Sequence, residues 1–557
     1  MKPEGAPPGS GWEATACETL RADLAFDLTS ARTALQALKE DGQANPDIVG
    51  VLDLLGRFRK ASAPDLAELA AEARTFAENA DPGSAARALH VAGLALLRAG
   101  RGDDAATAVL DGLEIGPSAA RRTWMFDTLA GVLIAEGAWI EALSALDYVA
   151  GLRSEVGDPI GIAITAGRRA GLAIDLGHPQ QAEDIAAAAL SQVGEQLPLG
   201  SRLRLNTVRV LAALDIGSPR PDLVADLARD IDGVQVNYLR GHAALALMRA
   251  DGENRLLWLN EASTALQTPY GRDLVRAWAD HLVSAAAPQL PGPAVEPTEG
   301  RFTHCLLTAE RARIAGKIQI ATAWLDRGMA FATATNRPLW MAKVDRQYRA
   351  IDPIRHAQVS ARRYSGLPPE ALAKTVQEDV TIVFNDLVGF TRRSTHIGPE
   401  ATMETVRSLF ELTAPLLASH QVRPLQYLGD GLLAVAQGEG HSSRGVAFAQ
   451  GIVQRSGVAT RIRYARGERL GLVTRAGVAS GPVVLGLLGS FAKMEHLAIG
   501  RTTNLAARLQ GVAEPGQVIA PAAEGAADER VSLKGLDEPI GIQRIVVHPA
   551  ELAENTH

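Results

Sequence analysis

Two aspartates follow predicted strands in the C-terminal part of the chain. The β-branched run Thr381–Asn385 predicts a buried strand that leads straight into Asp386. Asp430 lies in the sequence LGDG, at the tip of a predicted hairpin that joins Gln421–Leu428 to Leu432–Ala436. If these strands are neighbours in one sheet, the two carboxylates meet at one edge and concentrate negative charge there. Taken alone, each has a plainer explanation, because Asp386 could cap a following helix and Asp430 could serve a tight turn.

The elements that position these aspartates alternate between strands and helices from about residue 376 to 548. The order is strand, helix, strand, turn, strand, helix, strand, then further strands and a helix at Asn504–Leu509. This order predicts an α+β fold, a ferredoxin-like βαββαβ sheet with additions. The uncharged run Ala476–Ala492 is just short of a membrane span and contains four glycines and a proline. We therefore predict two buried strands with turns there, and no transmembrane helix.

Five segments of this region resemble, in order, motifs of the class III nucleotidyl cyclase catalytic domain, the family of adenylyl and guanylyl cyclases. The segments are VTIVFNDLVGFT, QYLGDGLLAVA, RAGVASGPVVLGLLGS, IGRTTNLAARLQ and LKGLDEPIGI. The resemblance covers nearly all of residues 378–547. Agreement of this many motifs in family order and at family spacing is improbable by chance.

The resemblance implies that the ribose 3′-hydroxyl of a nucleoside triphosphate attacks the α-phosphorus and expels pyrophosphate. It assigns two Mg²⁺ or Mn²⁺ ions to Asp386, Leu387 and Asp430, where they activate the hydroxyl and neutralise the triphosphate. By the same resemblance Asn504 orients the ribose, and Arg508, four residues further along one helix face, stabilises charge in the transition state. The predicted phosphate contacts are the N–H groups of a glycine-containing turn and one lysine, namely Val388, Gly389, Phe390, Thr391 and Lys534.

Two positions depart from the family pattern where the base is read. Family adenylyl cyclases carry a Lys four residues before the second metal Asp and an Asp or Thr seven before the Asn; here these are Gln426 and Leu497. A Gln amide donates or accepts, so it fits adenine or guanine, whereas Leu497 forms no hydrogen bond. Three outcomes stay open: an ATP cyclase of relaxed specificity, an enzyme that also accepts GTP, and a domain that binds nucleotide without turnover. We favour conversion of ATP to cyclic AMP, because the residues assigned to the chemistry are present.

The chain before residue 340 shows helical periodicity and a repeated turn. A turn Gly precedes a small Ala by five residues in four copies: Gly100 and Ala105, Gly137 and Ala142, Gly177 and Ala182, Gly316 and Ala321. Gly217 continues the spacing, although Asp222 takes the place of the Ala. A period near 34 to 40 with small residues at helix crossings resembles tetratricopeptide repeats over about residues 80 to 340. An irregular helical bundle is the alternative.

These patterns divide the chain into five regions. They are a flexible start at 1–12, tetratricopeptide-like repeats at 13–340 with a Pro-rich loop at 286–298, a helical coupler at 341–375, the cyclase domain at 376–548 and a tail at 549–557. The resemblance implies a head-to-tail homodimer of catalytic domains. We expect an unknown protein or small molecule to bind the repeats and regulate the catalytic domains. The alternative is an interaction protein whose cyclase-like domain serves dimerisation or nucleotide binding.

Composition adds mainly exclusions. With 557 residues, 47% of them hydrophobic and 21% charged, the chain is neither disordered nor fibrous. A net charge of −7 gives no reason to expect nucleic acid or an anionic membrane as partner. The two cysteines, Cys17 and Cys305, lie far apart in a sequence with no CxxC and no His cluster at metal-ligand spacing, so we expect no zinc or disulfide framework. With no signal peptide or membrane span evident, we predict a cytoplasmic protein.

Overall fold

A computed structural model describes residues 28–549 and 552, outside a set of gaps. The gaps are 42–43, 62–64, 194–196, 198, 219, 235–236, 268, 284–288, 292–297, 336, 354–355, 357–375, 391–397, 491–492, 523–528 and 535–537. They contain most of the predicted Pro-rich loop and the predicted domain boundary at Gly366–Glu370. The predicted coupler is described only in its first part.

The described chain up to residue 351 is built of helices. They are α1 (Leu28–Glu40), α2 (Pro46–Lys60), α3 (Asp65–Asn79), α4 (Pro82–Arg98), α5 (Gly102–Glu114), α6 (Ala119–Glu136), α7 (Trp139–Glu155), α8 (Pro159–Leu176), α9 (Pro179–Val193), α10 (Leu199–Ile216), α11 (Pro221–Ile231), α12 (Asn237–Ala250), α13 (Arg255–Ala265), α14 (Pro269–Val283), α15 (Glu299–Ile314), α16 (Ile318–Ala334) and α17 (Pro338–Ile351). Of the helices that the structure describes, none is long and apolar enough to cross a bilayer.

The predicted turn glycines all lie between consecutive helices. Each has a φ between 70° and 87°, a left-handed conformation that favours glycine: Gly100, Gly137, Gly177, Gly217 and Gly316. The small residue five positions later is fully buried in the four copies that carry alanine: Ala105, Ala142, Ala182 and Ala321. Asp222, which replaces that alanine, is exposed. The predicted helical hairpins are therefore confirmed. A small residue such as alanine is required at these positions because the helices pack closely there.

The contacts divide the chain into two compact units. Among the described residues, those of the first unit fall within Met1–Ile134 and Ala142–Ala312, and those of the second fall within Ala135–Glu141 and Arg313–His557. Helices α16 and α17 thus group with the C-terminal part, within which α16 contacts a further helix, α18 (Pro399–Ser419). From sequence we had placed these two helices with the repeats or the coupler.

The C-terminal part contains one mixed sheet. Its elements after residue 375 are β1 (Val376–Leu387), α18, β2 (Val422–Leu428), β3 (Gly431–Ala436), α19 (His441–Ala465), β4 (Thr474–Ser490), β5 (Lys493–Ile499), α20 (Arg501–Val512), β6 (Gln517–Pro521), β7 (Glu529–Val531) and β8 (Ile540–Val546). The strand order is β2-β3-β1-β4-β6-β8-β7, with β5 paired to β4. Strand β1 lies antiparallel between β3 and β4. This confirms the predicted ferredoxin-like βαββαβ arrangement with additions.

Helices cover both faces of the sheet. Val383 packs on one face with Phe448 of α19 and Leu416 of α18. Its neighbour Ile382 packs on the other face with Leu509 of α20. Successive residues of a strand point to opposite faces, so an apolar β1 is what a strand buried on both sides requires.

The prediction of two strands within Ala476–Ala492 was wrong, because β4 runs without interruption through most of it. Glycines that indicated turns serve close packing instead. A Cβ at Gly477 would lie 2.1 Å from the backbone N of Gln510 and 2.3 Å from the backbone O of Ala506. Gly477, the fourth residue of β4, therefore lets α20 rest directly on this strand. The next strand, β5, begins only at Lys493.

Candidate active site

The two aspartates lie at one end of neighbouring strands. Asp386, near the end of β1, pairs in register with Gly431, the first residue of β3. Asp430 immediately precedes Gly431 in the turn from β2, so it lies beside Asp386. A Cβ at Gly431 would lie 3.5 Å from Asp386 Oδ1 and 3.0 Å from the backbone O of Asn385. The glycine leaves this space open between the two carboxylates.

The electrostatics of this pair favour a bound cation. Asp430 is half-buried, and burial raises its pKa, with the negative charge of Asp386 as the second cause. A divalent cation would offset both effects. In the described part of the chain no group of three or more His, Cys, Asp and Glu side chains could hold a metal. Ions held by this pair would complete their coordination with backbone carbonyls, water or phosphate, as Mg²⁺ does in nucleotide sites.

The turn after β1 contains the predicted phosphate-binding residues. Leu387 has a buried side chain and could offer a metal only its backbone carbonyl. The Val388 N–H donates to the backbone O of Val473 at 2.9 Å, so it is engaged within the domain and is a poor phosphate donor. Gly389 turns the chain with a φ of 70°, and Phe390 follows it. Thr391 lies outside the described residues.

Helix α20 presents its polar residues on different sides. Thr502, Ala506 and Leu509 are buried at helical spacing and face the sheet. Asn504 is exposed and Arg508 half-buried, and both lie on the side away from that stripe. The structure therefore does not place Asn504 and Arg508 against the aspartate pair of their own chain.

The described contacts of Asp386 come from two residues that sequence reasoning missed. Gln510, also on α20, donates from Nε2 to Asp386 Oδ2 at 3.2 Å. Arg475 of β4 lies directly opposite Asp386 in the sheet, with Nη2 3.6 Å from Oδ2. No signal in the sequence predicts that either residue contacts Asp386. The two contacts depend on the order of the strands and on which face of α20 meets the sheet.

The remaining predicted residues lie on other elements. Gln426 is half-buried on β2, opposite Leu433. Leu497 is half-buried on β5, and β2 and β5 lie in contact. Lys534 is exposed in a turn between β7 and β8. The two positions predicted to read the base thus lie on strands of one chain that are in contact with each other.

Known proteins match the C-terminal part of the chain. Residues 372–525 match the family model described as the adenylate and guanylate cyclase catalytic domain. An adenylate cyclase of Mycobacterium tuberculosis is 24% identical over 208 residues, which are 37% of this chain and 44% of that protein. Guanylate cyclase 2G of Mus musculus is 27% identical over 143 residues, 25% of this chain and 13% of the mouse protein.

A solved structure, the adenylyl cyclase CyaB from P. aeruginosa, covers 31% of this chain and 96% of its own at 21% identity and a TM-score of 0.30. The chain spans less than half the length of either sequence relative, so those matches concern a shared region and not whole proteins. The family match coincides with the sheet that carries Asp386 and Asp430. The C-terminal part of the chain, residues 372–525, belongs to the adenylate and guanylate cyclase catalytic domain family.

Proposed function

We propose that this protein is a nucleotidyl cyclase that converts ATP to 3′,5′-cyclic AMP and pyrophosphate. The observation that carries the proposal is the carboxylate pair at the ends of β1 and β3. Asp386 and Asp430 are adjacent, partly buried and mutually repulsive, which is the arrangement a divalent cation stabilises. The family match of residues 372–525 supports cyclase chemistry in general.

Each residue of the proposed site has one role. Asp386, Asp430 and the Leu387 carbonyl would hold two Mg²⁺ or Mn²⁺ ions. Bound there, the ions supply charge that favours loss of the 3′-hydroxyl proton and neutralises the departing pyrophosphate. The backbone N–H groups of Gly389 and Phe390 would hold phosphate oxygens. The hydroxyl oxygen forms the new bond to the α-phosphorus as the bond to pyrophosphate breaks.

Asn504 and Arg508 would act on a second chain. They face away from the aspartates of their own chain, so in a head-to-tail homodimer α20 can carry them to the partner's site. Exposed apolar side chains on β2, β4 and β5 support such an interface: Tyr427, Leu428, Val484 and Ile499. Asn504 would then orient the ribose, and Arg508 would stabilise charge on the α-phosphate. Lys534 is a weaker candidate for a further phosphate contact.

Base specificity would depend on Gln426 and Leu497. One amide that donates or accepts, beside one apolar side chain, gives weak discrimination between purines. We propose ATP as the main substrate with GTP as a poorer one.

The decisive experiment is a product assay with ATP and GTP in parallel, at several Mg²⁺ and Mn²⁺ concentrations. We expect cyclic AMP from the wild type and no product from Asp386→Ala, because the metal pair is lost. Asp379→Ala is the matched control, since Asp379 is exposed on the same strand and pairs with Pro482, away from the site. Absence of any cyclic product would overturn the proposal that the protein is an enzyme. It would favour the alternative, a catalytically degenerate domain that binds nucleotide or dimerises and is attached to a helical scaffold.

We further propose that the helical region binds a protein or small molecule and regulates the catalytic domains, with the segment around α17 as coupler. Buried alanines at the helix turns support a closely packed scaffold of the kind that presents a binding surface. The same product assay on a fragment that begins at residue 370 tests this. A fragment with the activity and regulation of the full chain would refute the coupling.

A further inference from the structure

The segment 135–141 spans the turn from α6 to α7 and belongs to the C-terminal unit. The residues that flank it, Ile134 and Ala142, belong to the other unit. Within the C-terminal unit the segment is bound by α18 and α19. Glu411 of α18 accepts a hydrogen bond from the backbone N–H of Ile140 at 2.9 Å. Because the first N–H groups of a helix have no partner within it, this carboxylate caps the start of α7.

Two glutamates of the segment meet three buried arginines on α19 and directly after it. Glu136 forms an ion pair with Arg455. Glu141 accepts hydrogen bonds from Nε of Arg463 at 2.9 Å and from Nη2 of Arg466 at 3.1 Å. The three arginines are at most 9% exposed, and Glu141 is 1% exposed. Burial alone would raise the pKa of Glu141, but the two arginine charges lower it below its usual range, so this carboxylate stays ionised.

These buried charges make the contact specific for this segment. Three guanidinium groups that leave water lose hydration, and only carboxylates in suitable positions offset that loss. Glu136 and Glu141 supply such carboxylates from one short stretch of chain. A segment without them would leave the arginines buried and unpaired. Uncovered arginines are readily hydrated, so a contact of this kind can open as well as form.

Arg463 also holds the chain that follows α19. Its Nη1 donates to the backbone O of Leu470 at 3.3 Å. Two residues later, the backbone N–H of Leu472 donates to Thr460 Oγ1 of α19 at 2.7 Å. The stretch 470–473, which leads into β4, is therefore fixed to the part of α19 that binds Glu141.

This stretch reaches the edge of the sheet that carries the aspartates. The backbone O of Val473 accepts the hydrogen bond of the Val388 N–H, and Thr474 pairs with Leu387 in the sheet. These contacts hold the turn after β1, whose next residues would bind phosphate. Hydrogen bonds and one short stretch of backbone thus connect Glu141 with the turn that follows Asp386.

We propose that the segment 135–141 is a control element of the catalytic domain. Bound to α19, it holds the turn after β1 in position through Arg463 and residues 470–473, and its withdrawal loosens that turn. Because the chain on both sides of the segment belongs to the helical unit, a ligand bound there can withdraw it. The inference rests on the proposed function, because it takes the turn after β1 as part of the site. It makes Glu141 and Arg463 positioning residues.

The test combines hydrogen–deuterium exchange of the full chain without nucleotide with steady-state kinetics. E141K replaces a carboxylate by a cation that the two arginines repel. We expect exchange of residues 386–390 and 470–474 to rise, and kcat/KM for ATP to fall, each about tenfold. E141D keeps the charge and should stay close to wild type. E155K makes the same change on an exposed residue of α7 and should alter neither measurement.

Wild-type exchange of residues 386–390 in E141K would overturn the control element, and so would faster exchange with an unchanged kcat/KM. Residues 422–436 of β2 and β3 are the internal reference, because a rise of the same size there would show general destabilisation and refute a specific connection. If E141K does not fold, E136K breaks the pair with Arg455 and must give the same changes. A wild type that forms no cyclic product would refute the proposed function, whereas exchange would still decide whether the segment holds the turn.

Discussion

At the scale of single residues, sequence predicted the acidic pair but not what surrounds it. The sequence indicates this pair because Asp386 directly follows a strand pattern and Asp430 lies at the tip of a predicted hairpin, and neighbouring strands bring such positions together. Gln510 and Arg475 gave no comparable signal, because their contacts with Asp386 arise only when β4 lies beside β1 and α20 rests on β4. The Val388 N–H was assigned to phosphate from the turn pattern alone, and the fold uses it for Val473.

The residue-scale prediction concerns base selection at Gln426. Lys is a donor only, and adenine offers an acceptor at N1 where guanine carries an N–H donor. We therefore expect Gln426→Lys to raise the ratio of kcat/KM for ATP to that for GTP about tenfold. Steady-state kinetics with both nucleotides measure it. Gln377→Lys makes the same change on an exposed residue of β1 and should leave the ratio unaltered. A ratio that stays constant or falls in Gln426→Lys would remove Gln426 from the base site.

At the scale of elements, the order of strands and helices was predictable, whereas the role of glycine in β4 was not. Gly477 and Gly481 resemble turn signals in sequence, because the same residue type serves a reversed chain and a close helix contact. Only the position of α20 distinguishes a turn from a close helix contact. Gly477 lies against the backbone of α20, and a Cβ at Gly481 would lie 2.8 Å from Thr502 Oγ1 of the same helix. The β1 pattern was clearer, since burial on both faces demands a continuous apolar run.

The element-scale prediction follows from that packing. Gly477→Ala would place a methyl group against backbone atoms of Gln510 and Ala506, which cannot rotate away. We expect α20 to lift, at a cost of about 1–3 kcal/mol in the stability of the domain, and cyclase activity to fall as Asn504, Arg508 and Gln510 move. Hydrogen–deuterium exchange of residues 501–512 reports the change directly.

The matched control is Gly511→Ala in the same helix, where a Cβ meets nothing within 4 Å. That substitution should leave exchange and activity near wild type, or slightly increase protection, since Ala favours helix. Wild-type exchange of residues 501–512 in Gly477→Ala would show that α20 does not depend on this contact.

At the scale of the whole molecule, local repeats were easier to predict than the grouping of helices. Gly100, Gly177 and their equivalents mark turns by their own conformation, so spacing along the sequence suffices. Which unit a helix joins depends on contacts between residues that are distant in sequence. Helix α16 contains Ala321 of the repeat pattern, yet it groups with the C-terminal unit. The assembly of two chains is harder to predict from the sequence than the fold of one chain. The structure of a single chain shows only that Asn504 and Arg508 face away from its own aspartates.

The prediction at this scale is complementation between two inactive chains. Asp386→Ala lacks the metal pair but keeps Arg508, whereas Arg508→Ala lacks the transition-state contact but keeps both aspartates. In a head-to-tail dimer, the mixed species has one site with both defects and one site with neither. Random pairing makes about half of the dimers mixed, so co-expressed chains should recover about a quarter of wild-type activity.

Co-expression of Asp386→Ala with a chain that carries both substitutions is the control, and it should stay inactive because no intact metal pair remains. Size-exclusion chromatography establishes that each variant folds and dimerises. If both do so and the co-expressed pair shows no cyclic product, the helix that presents Asn504 and Arg508 does not serve the partner's site. Activity in Arg508→Ala alone would exclude that arginine from the chemistry, since a site without its transition-state cation should lose most of its rate.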